Sequence, residues 1–177
     1  DGGLHLRSPG AWSKAVAAIT RLAEMQGIDL HDALSIESPV PRGKGMASST
    51  ADISAALTAF CGHRCIDLDA SAFGELIATI EPSDCVHHAG IAEVNHLTGT
   101  LLARWPAPAG LRVMVFDCGG RIDTVAFDRE RARAIYAERR QDVARFLGLA
   151  RCGLMLGDLR TIGEAATLSA RVSQLIL

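Results

Sequence analysis

Two groups of residues in this chain have the types and spacing for chemistry. The first is Pro41-Arg42-Gly43-Lys44-Gly45-Met46-Ala47-Ser48-Ser49-Thr50-Ala51-Asp52. Gly43 and Gly45 permit positive φ and close approach of the backbone to a ligand. The apolar periodicity that follows predicts a helix whose first N–H groups have no intrahelical acceptor. Those donors, the positive end of the helix dipole and the hydroxyls of Ser48, Ser49 and Thr50 make an anion site suited to a phosphate. The plainer reading of the same residues is a turn followed by a helix cap. The second group is Glu81-Pro82-Ser83-Asp84-Cys85-Val86-His87-His88, where carboxylates and imidazoles gather just past a helical stretch. Both groups fall at the ends of elements, where functional side chains are displayed.

Local chemistry narrows these readings. The loop is not a Walker A sequence, because Lys44 is followed by Gly45 rather than Ser or Thr. His87 and His88 are adjacent and diverge by about 100° on a helix, so they do not suit one metal, and at least one is expected at the surface. Cys61-Gly62-His63-Arg64-Cys65 lacks the second ligand pair that a tetrahedral site needs and reads as thiols at a helix end. The five cysteines are odd in number and scattered among apolar neighbours, which suits reduced thiols rather than a disulfide framework.

The elements that must position these groups follow from periodicity. A helical stripe at Trp12, Ala15, Val16, Ile19, Leu22 and Ala23 ends at Gly27. Leu34 to Val40 reads as a strand leading into the glycine loop. Ile53, Ala56, Leu57 and Phe60 share one face of the helix after the loop and would hold it against a core. Ser71 is the expected cap of a helix with the stripe Phe73, Leu76, Ile77 and Ile80, which stops at Glu81 because a residue before proline avoids the helical region. A strand is expected over Gly99 to Trp105. Strands over Leu111 to Phe116 and Arg121 to Phe127 would flank a hairpin tip at Asp117-Cys118-Gly119-Gly120. A long charged helix from about Arg129 to Leu147 and a last helix over Gly157 to Leu177, opened by Asp158 or Thr161, complete the chain. Pro106-Ala107-Pro108-Ala109-Gly110 suggests a boundary, giving domains at 1–105 and 106–177.

With 177 residues, 49% of them hydrophobic, the chain can bury a core. Its net charge of −2, from 18 basic and 20 acidic residues, gives no global pull toward nucleic acid or acidic membranes. No apolar run reaches the roughly 20 residues that cross a bilayer. The expectation is a soluble, cytoplasmic protein. The start at Asp1 and the apolar finish Leu175-Ile176-Leu177 suggest a piece of a longer enzyme.

The proline, spaced glycines and paired serines of the loop resemble the phosphate loop of the GHMP small-molecule kinases, with Met46, Ala47 and Thr50 as mild departures. The run from Pro41 to Ile53 is most similar to the L-threonine kinase branch, which serves cobalamin synthesis. Glu81-Pro82-Ser83-Asp84, Asp117-Cys118-Gly119-Gly120 with Asp123-Thr124, and Gly157-Asp158 with Ile162 to Ala170 resemble that branch in the same order.

The resemblance implies an α/β two-layer fold, an N-terminal α/β domain lacking its first strands joined to part of a ferredoxin-like C-terminal domain. It implies ATP and magnesium as cofactors and a small hydroxylated amino acid as substrate, with L-threonine giving O-phospho-L-threonine. A homoserine kinase, another kinase of the superfamily and a non-catalytic nucleotide-binding relative are the alternatives. Pro41 to Thr50 would hold the nucleotide, with Gly43, Gly45, Ala47 and Ser48 offering N–H groups and Lys44 screening phosphate charge. Ser49 and Glu81 would hold magnesium, which takes oxygen ligands and keeps some waters. For Glu81 the bland reading is a solvated helix end. Asp84 reads either as the general base for the substrate hydroxyl or as the cap of a helix beginning near Val86. Arg42, Lys44 or Arg7 would meet the substrate carboxylate.

Overall fold

A computed structural model describes residues 5–6, 12–84, 86–117, 119–120 and 128–176. Backbone contacts divide the chain into two compact units, one of Asp1–Arg104 with Gly120–Ile122, the other of Trp105–Gly119 with Asp123–Leu177.

The first unit is mixed helix and strand. Strand β1 (His5–Leu6) and strand β2 (Ala33–Leu34) pair in parallel, His5 opposite Ala33 and Leu6 opposite Leu34, across helix α1 (Ser13–Gln26). Parallel neighbours need such a crossover, because a tight turn cannot reverse the chain twice. Ala15, Ala18, Ile19, Leu22 and Ala23 form the buried stripe of α1. Gly27 ends it at φ 65°, with the Ile28 N–H donating back to the Ala23 carbonyl at 2.9 Å, so the last carbonyls are satisfied by a left-handed C-cap.

Helix α2 (Ser48–Arg64) and helix α3 (Ala70–Ile80) complete the core of this unit. Ile53, Ala56, Leu57 and Phe60 of α2 meet Ile19 and Leu22 of α1 and Leu76 and Ile77 of α3. The expected strand from Leu34 to Val40 pairs only at Ala33–Leu34. Burial nevertheless alternates residue by residue from His31 to Val40, with Leu34 and Ile36 on the core. The segment therefore has a strand's two-sided character over a longer run than the two residues that pair with β1. Asp69, not Ser71, caps α3: its Oδ1 accepts the N–H groups of Ser71 and Ala72 at 2.9 Å. The carboxylate outcompetes the hydroxyl, which instead donates to Glu75 one turn on.

Beyond α3, strand β3 (Ile91–Val94) and strand β4 (Leu101–Trp105) form a two-stranded sheet. The connection is too short for a parallel crossover, so the pair is an antiparallel hairpin. Asn95 anchors its turn: its N–H donates to the Thr100 carbonyl at 2.9 Å and its own carbonyl accepts the Gly99 N–H at 2.8 Å. Gly99, at φ 75°, lies so close to Gly74 of α3 that a Cβ on it would stand 2.1 Å from the Gly74 carbonyl oxygen. Two side-chain-free positions face each other, and this lets the hairpin dock on the helix.

The described part of the second unit is helical: α4 (Arg129–Glu138), α5 (Arg140–Leu156) and α6 (Leu159–Ser173). The single helix expected over Arg129 to Leu147 breaks at Arg139 and then runs on to Leu156. Asp128 caps α4 by accepting the Arg131 N–H at 2.9 Å. Asp158 caps α6, accepting the Arg160 N–H at 3.0 Å and the Thr161 hydroxyl at 2.6 Å. Helices α5 and α6 meet closely, a Cβ at Gly153 falling 2.8 Å from Ile162 Cγ1.

Leu111 to Phe116, expected as a strand, is unpaired among the described residues, and Val113, Met114, Val115 and Phe116 are exposed. A β-like run of apolar residues becomes a strand only where a neighbour accepts its backbone. The Asp117 side chain accepts the Gly119 N–H at 2.9 Å, forming a local turn. The strand expected over Arg121 to Phe127 lies outside the described residues, and no ferredoxin-like sheet is present among those described in this unit. No helix of the described residues is long and apolar enough to cross a membrane.

Candidate functional site

The glycine loop delivers the chain into α2 through three left-handed residues, Gly43 (φ 72°), Gly45 (φ 67°) and Ala47 (φ 53°). For alanine this region costs about 1–2 kcal/mol, so the turn is held by its surroundings rather than by local preference. The ladder of α2 begins with the Ala51 N–H donating to the Ala47 carbonyl at 2.9 Å. The N–H groups of Ser48, Ser49 and Thr50 therefore precede the first intrahelical bond. Neither an acidic residue of the helix's own first turn nor a side-chain cap occupies this end, so its positive potential is answered only from outside the helix. The loop residues Pro41, Gly45 and Met46 are exposed, while Arg42, Gly43, Lys44 and Ala47 are half-buried.

Glu81 meets this helix start from the end of α3. At Glu81 the backbone turns extended (φ −158°, ψ 157°), as Pro82 requires. Its Oε2 accepts the Ser49 hydroxyl at 3.0 Å and its Oε1 accepts the Thr50 hydroxyl at 3.3 Å. Lys14 of α1 forms an ion pair with the same Oε2. The carboxylate is only 12% exposed, so it is neither a solvated helix end nor an isolated buried charge. Three elements thus converge on one carboxylate. Its oxygens and the Ser49 hydroxyl are hard donors that fit magnesium, which prefers oxygen ligands and takes others from water and phosphate. No group of three or more His, Cys, Asp or Glu forms a metal cage among the described residues.

Beside this centre lies a cleft of about 280 Å³, walled by Trp12, Lys14, Arg42, Ser48, Ser49 and Asp52 among others. Arg42 Nη2 pairs with Asp52 Oδ2 at 3.2 Å, and its guanidinium lies 4.0 Å from the Trp12 ring centroid. Arg42 is thereby committed to the cleft wall by an ion pair and a cation–π contact. Arg7 lies outside the described residues.

The Asp84 region differs from expectation in two respects. No helix begins near Val86; the chain turns there and enters β3, so Asp84 is not a helix cap. Asp84 itself is exposed and makes no hydrogen bond or ion pair among the described residues, whereas Ser83 is buried and its N–H donates to the His96 carbonyl at 3.0 Å. Neither histidine is a surface residue in the expected sense: His88 is buried and His87 half-buried, packed against Phe73 with ring centroids 5.2 Å apart. Burial, and then the neighbouring His88, hold the His87 pKa down at about 4. Burial and the Arg104 charge lower that of His88 as well.

Lys14 and Trp12 were not legible as site residues, and Asp52, at the end of the loop run, carried no assigned role. Lys14 and Glu81 are 67 positions apart, and only the packing of α1 against α2 and α3 brings them together. The one trace in the sequence is a lysine at the start of a helix, where its charge opposes the dipole.

The sequence pattern of the family described as GHMP kinases N terminal domain matches residues 12–94. Trp12, the loop, Ser49, Glu81 and Asp84 all fall inside it. The chain is 29% identical over 146 residues to the L-threonine kinase of Salmonella typhimurium, covering 81% of this chain and 48% of that protein. It is 28% identical over 147 residues to the L-threonine kinase of Citrobacter freundii, covering 81% of this chain and 50% of that one. The chain thus spans about half the length of the curated relatives it matches. No solved structure matches it.

Proposed function

We propose that this chain carries the nucleotide-phosphate and metal centre of an ATP- and magnesium-dependent kinase that phosphorylates the hydroxyl of L-threonine, giving O-phospho-L-threonine for cobalamin synthesis. The observation that carries the reading is the convergence of Ser49 and Glu81 at the first turn of α2, directly after the glycine loop. Residues 1–105 are the N-terminal kinase domain in this reading, and 106–177 the start of the C-terminal one.

The loop from Pro41 to Thr50 wraps the nucleotide phosphates, with the N–H groups of Gly43, Gly45, Ala47 and Ser48 donating to them and Lys44 adding positive charge. Ser49 and Glu81 would hold the magnesium ion. When bound, the ion neutralises charge on the phosphate oxygens as the phosphoryl group moves. The substrate hydroxyl oxygen forms a bond to the γ-phosphorus, the bond to the ADP oxygen breaks, and the hydroxyl proton passes to the Asp84 carboxylate. The exposure of Asp84 is compatible with a base that must meet an incoming substrate. The cleft walled by Trp12 and the Arg42–Asp52 pair opens beside Ser48 and Ser49 and suits the rest of the nucleotide. Arg42, Lys44 or Arg7 meets the substrate carboxylate in this reading, Arg42 being also paired with Asp52.

The test is ADP release by the full-length protein with L-threonine, L-homoserine and L-serine in parallel. Turnover led by L-threonine supports the proposal. A far faster reaction with homoserine refutes the substrate assignment, and calorimetric ATP binding with no phosphorylated product from any acceptor refutes the activity.

A further inference from the structure

The ion pair between Lys14 and Glu81 has no role in the reaction just described, and helix stability does not explain it. Lys14 is the second residue of α1, where a cation opposes the positive end of the helix dipole and costs about 0.3–1 kcal/mol. No acidic residue and no side-chain cap in that turn offsets it. Its compensation comes from Glu81 on another element, and that carboxylate is nearly buried while the lysine side chain is 49% exposed.

We propose that Lys14 is an internal counter-ion of the metal centre, which holds Glu81 in place while no metal is bound and yields that position to the metal when the nucleotide arrives. The inference rests on the kinase reading of Ser49 and Glu81. Lys14 and the Ser49 hydroxyl both donate to the same oxygen, Glu81 Oε2. A metal held between Ser49 Oγ and Glu81 needs lone pairs that these two hydrogen bonds now use. The ammonium must therefore leave Oε2, because a cation within hydrogen-bond reach of a metal ligand repels the metal. Lys14 is free to do so on the half-exposed side of a flexible stem. The same side chain lines the cleft with Ser48 and Ser49, so on leaving the carboxylate it turns toward the nucleotide phosphates. Metal entry without nucleotide strands the displaced lysine charge without a partner, whereas entry with nucleotide supplies one. Lys14 is a positioning residue that makes metal binding conditional on the nucleotide.

The test is a titration of the full-length protein with Mn²⁺, following the free-ion signal by electron paramagnetic resonance, with and without a non-hydrolysable ATP analogue. Wild type, Lys14→Met, Lys14→Arg and Glu81→Gln are compared, and thermal melts establish that each is folded. Without nucleotide, Lys14→Met is expected to bind Mn²⁺ about tenfold more tightly than wild type, as removal of one adjacent positive charge dictates. The nucleotide then tightens metal binding less in Lys14→Met than in wild type. Lys14→Arg keeps the charge and the wild-type behaviour, which covers the case in which the methionine variant does not fold. Equal or weaker nucleotide-free Mn²⁺ binding by Lys14→Met overturns the inference, as does an arginine variant that behaves like a charge loss. If wild type and Glu81→Gln bind Mn²⁺ alike even with the nucleotide analogue, the metal centre falls and the counter-ion role falls with it.

Discussion

Replacing Gly99 with alanine should unseat the hairpin from α3 and move the turn that carries Asp84. A Cβ on Gly99 would lie 2.1 Å from the Gly74 oxygen, 2.3 Å from the Gly74 carbonyl carbon and 2.7 Å from the Glu75 nitrogen. All three are helix backbone atoms and none can rotate aside. The residue also sits at φ +75°, which costs a side-chain-bearing residue about 1–2 kcal/mol. Overpacking against a rigid surface adds about 1–3 kcal/mol, so Gly99→Ala should destabilise the first unit by about 2–5 kcal/mol. Gly74→Ala is the informative contrast. Its Cβ would meet the Gly99 oxygen at 2.7 Å and His87 Nε2 at 3.3 Å. Alanine, however, gains about 1 kcal/mol of helix propensity there, so the net loss should be about 0–2 kcal/mol. The assay is urea denaturation followed by Trp12 fluorescence in a Trp105→Phe background. The chain has two tryptophans, so this background reports the first unit alone. A loss below about 1 kcal/mol for Gly99→Ala, or a larger loss for Gly74→Ala, would refute the close approach of helix and hairpin.

Acid should weaken the same region. His87 is held neutral in the fold with a pKa of about 4, against an ordinary 6.5. Its contribution is fully present above about pH 6.5 and is lost as the pH falls toward 4, because the unfolded chain takes up the proton first. The full gap corresponds to about 3 kcal/mol, reduced to about 1–2 kcal/mol by solvent around the half-buried ring. Urea titrations between those limits should show this slope in wild type and most of it gone in His87→Phe; an unchanged slope contradicts the burial. In steady-state kinetics with L-threonine, Asp84→Asn should lower kcat by about 10²–10⁴ with little change in ATP affinity. Wild-type turnover in that variant would remove the base.

The parts of this structure that were legible in the sequence are those set by local rules. Gly43 and Gly45 announce a backbone that turns with positive φ, and the stripes Ile19-Leu22, Ile53-Leu57 and Leu76-Ile77 announce the faces that meet in the core. The stop at Glu81 follows from Pro82 alone. What was missed depends on partners distant in the chain. Leu111 to Phe116 has the residues of a strand and no neighbour to pair with among the described residues. Ile91 to Val94 became a strand because Leu101 to Trp105 folds back beside it, although its four residues show no alternation of burial. The break at Arg139 carries no proline or glycine to mark it. In the site, Ser49 and Glu81 were named together as magnesium ligands through the family resemblance, while Lys14 was not, because no spacing rule connects positions on three helices. Asp69 was within reach, since a carboxylate just before an apolar stripe is as good a cap as the serine two residues later.

The central claim is that Ser49 and Glu81 form one centre for phosphoryl transfer to a hydroxyl. Phosphorus NMR of the full-length protein with ATP, magnesium and L-threonine tests it most directly, beside Ser49→Ala and Glu81→Gln. The account predicts a growing phosphomonoester signal with matching ADP in wild type, and its loss in both variants while each remains folded. Phosphothreonine formed at the wild-type rate by Glu81→Gln would contradict it.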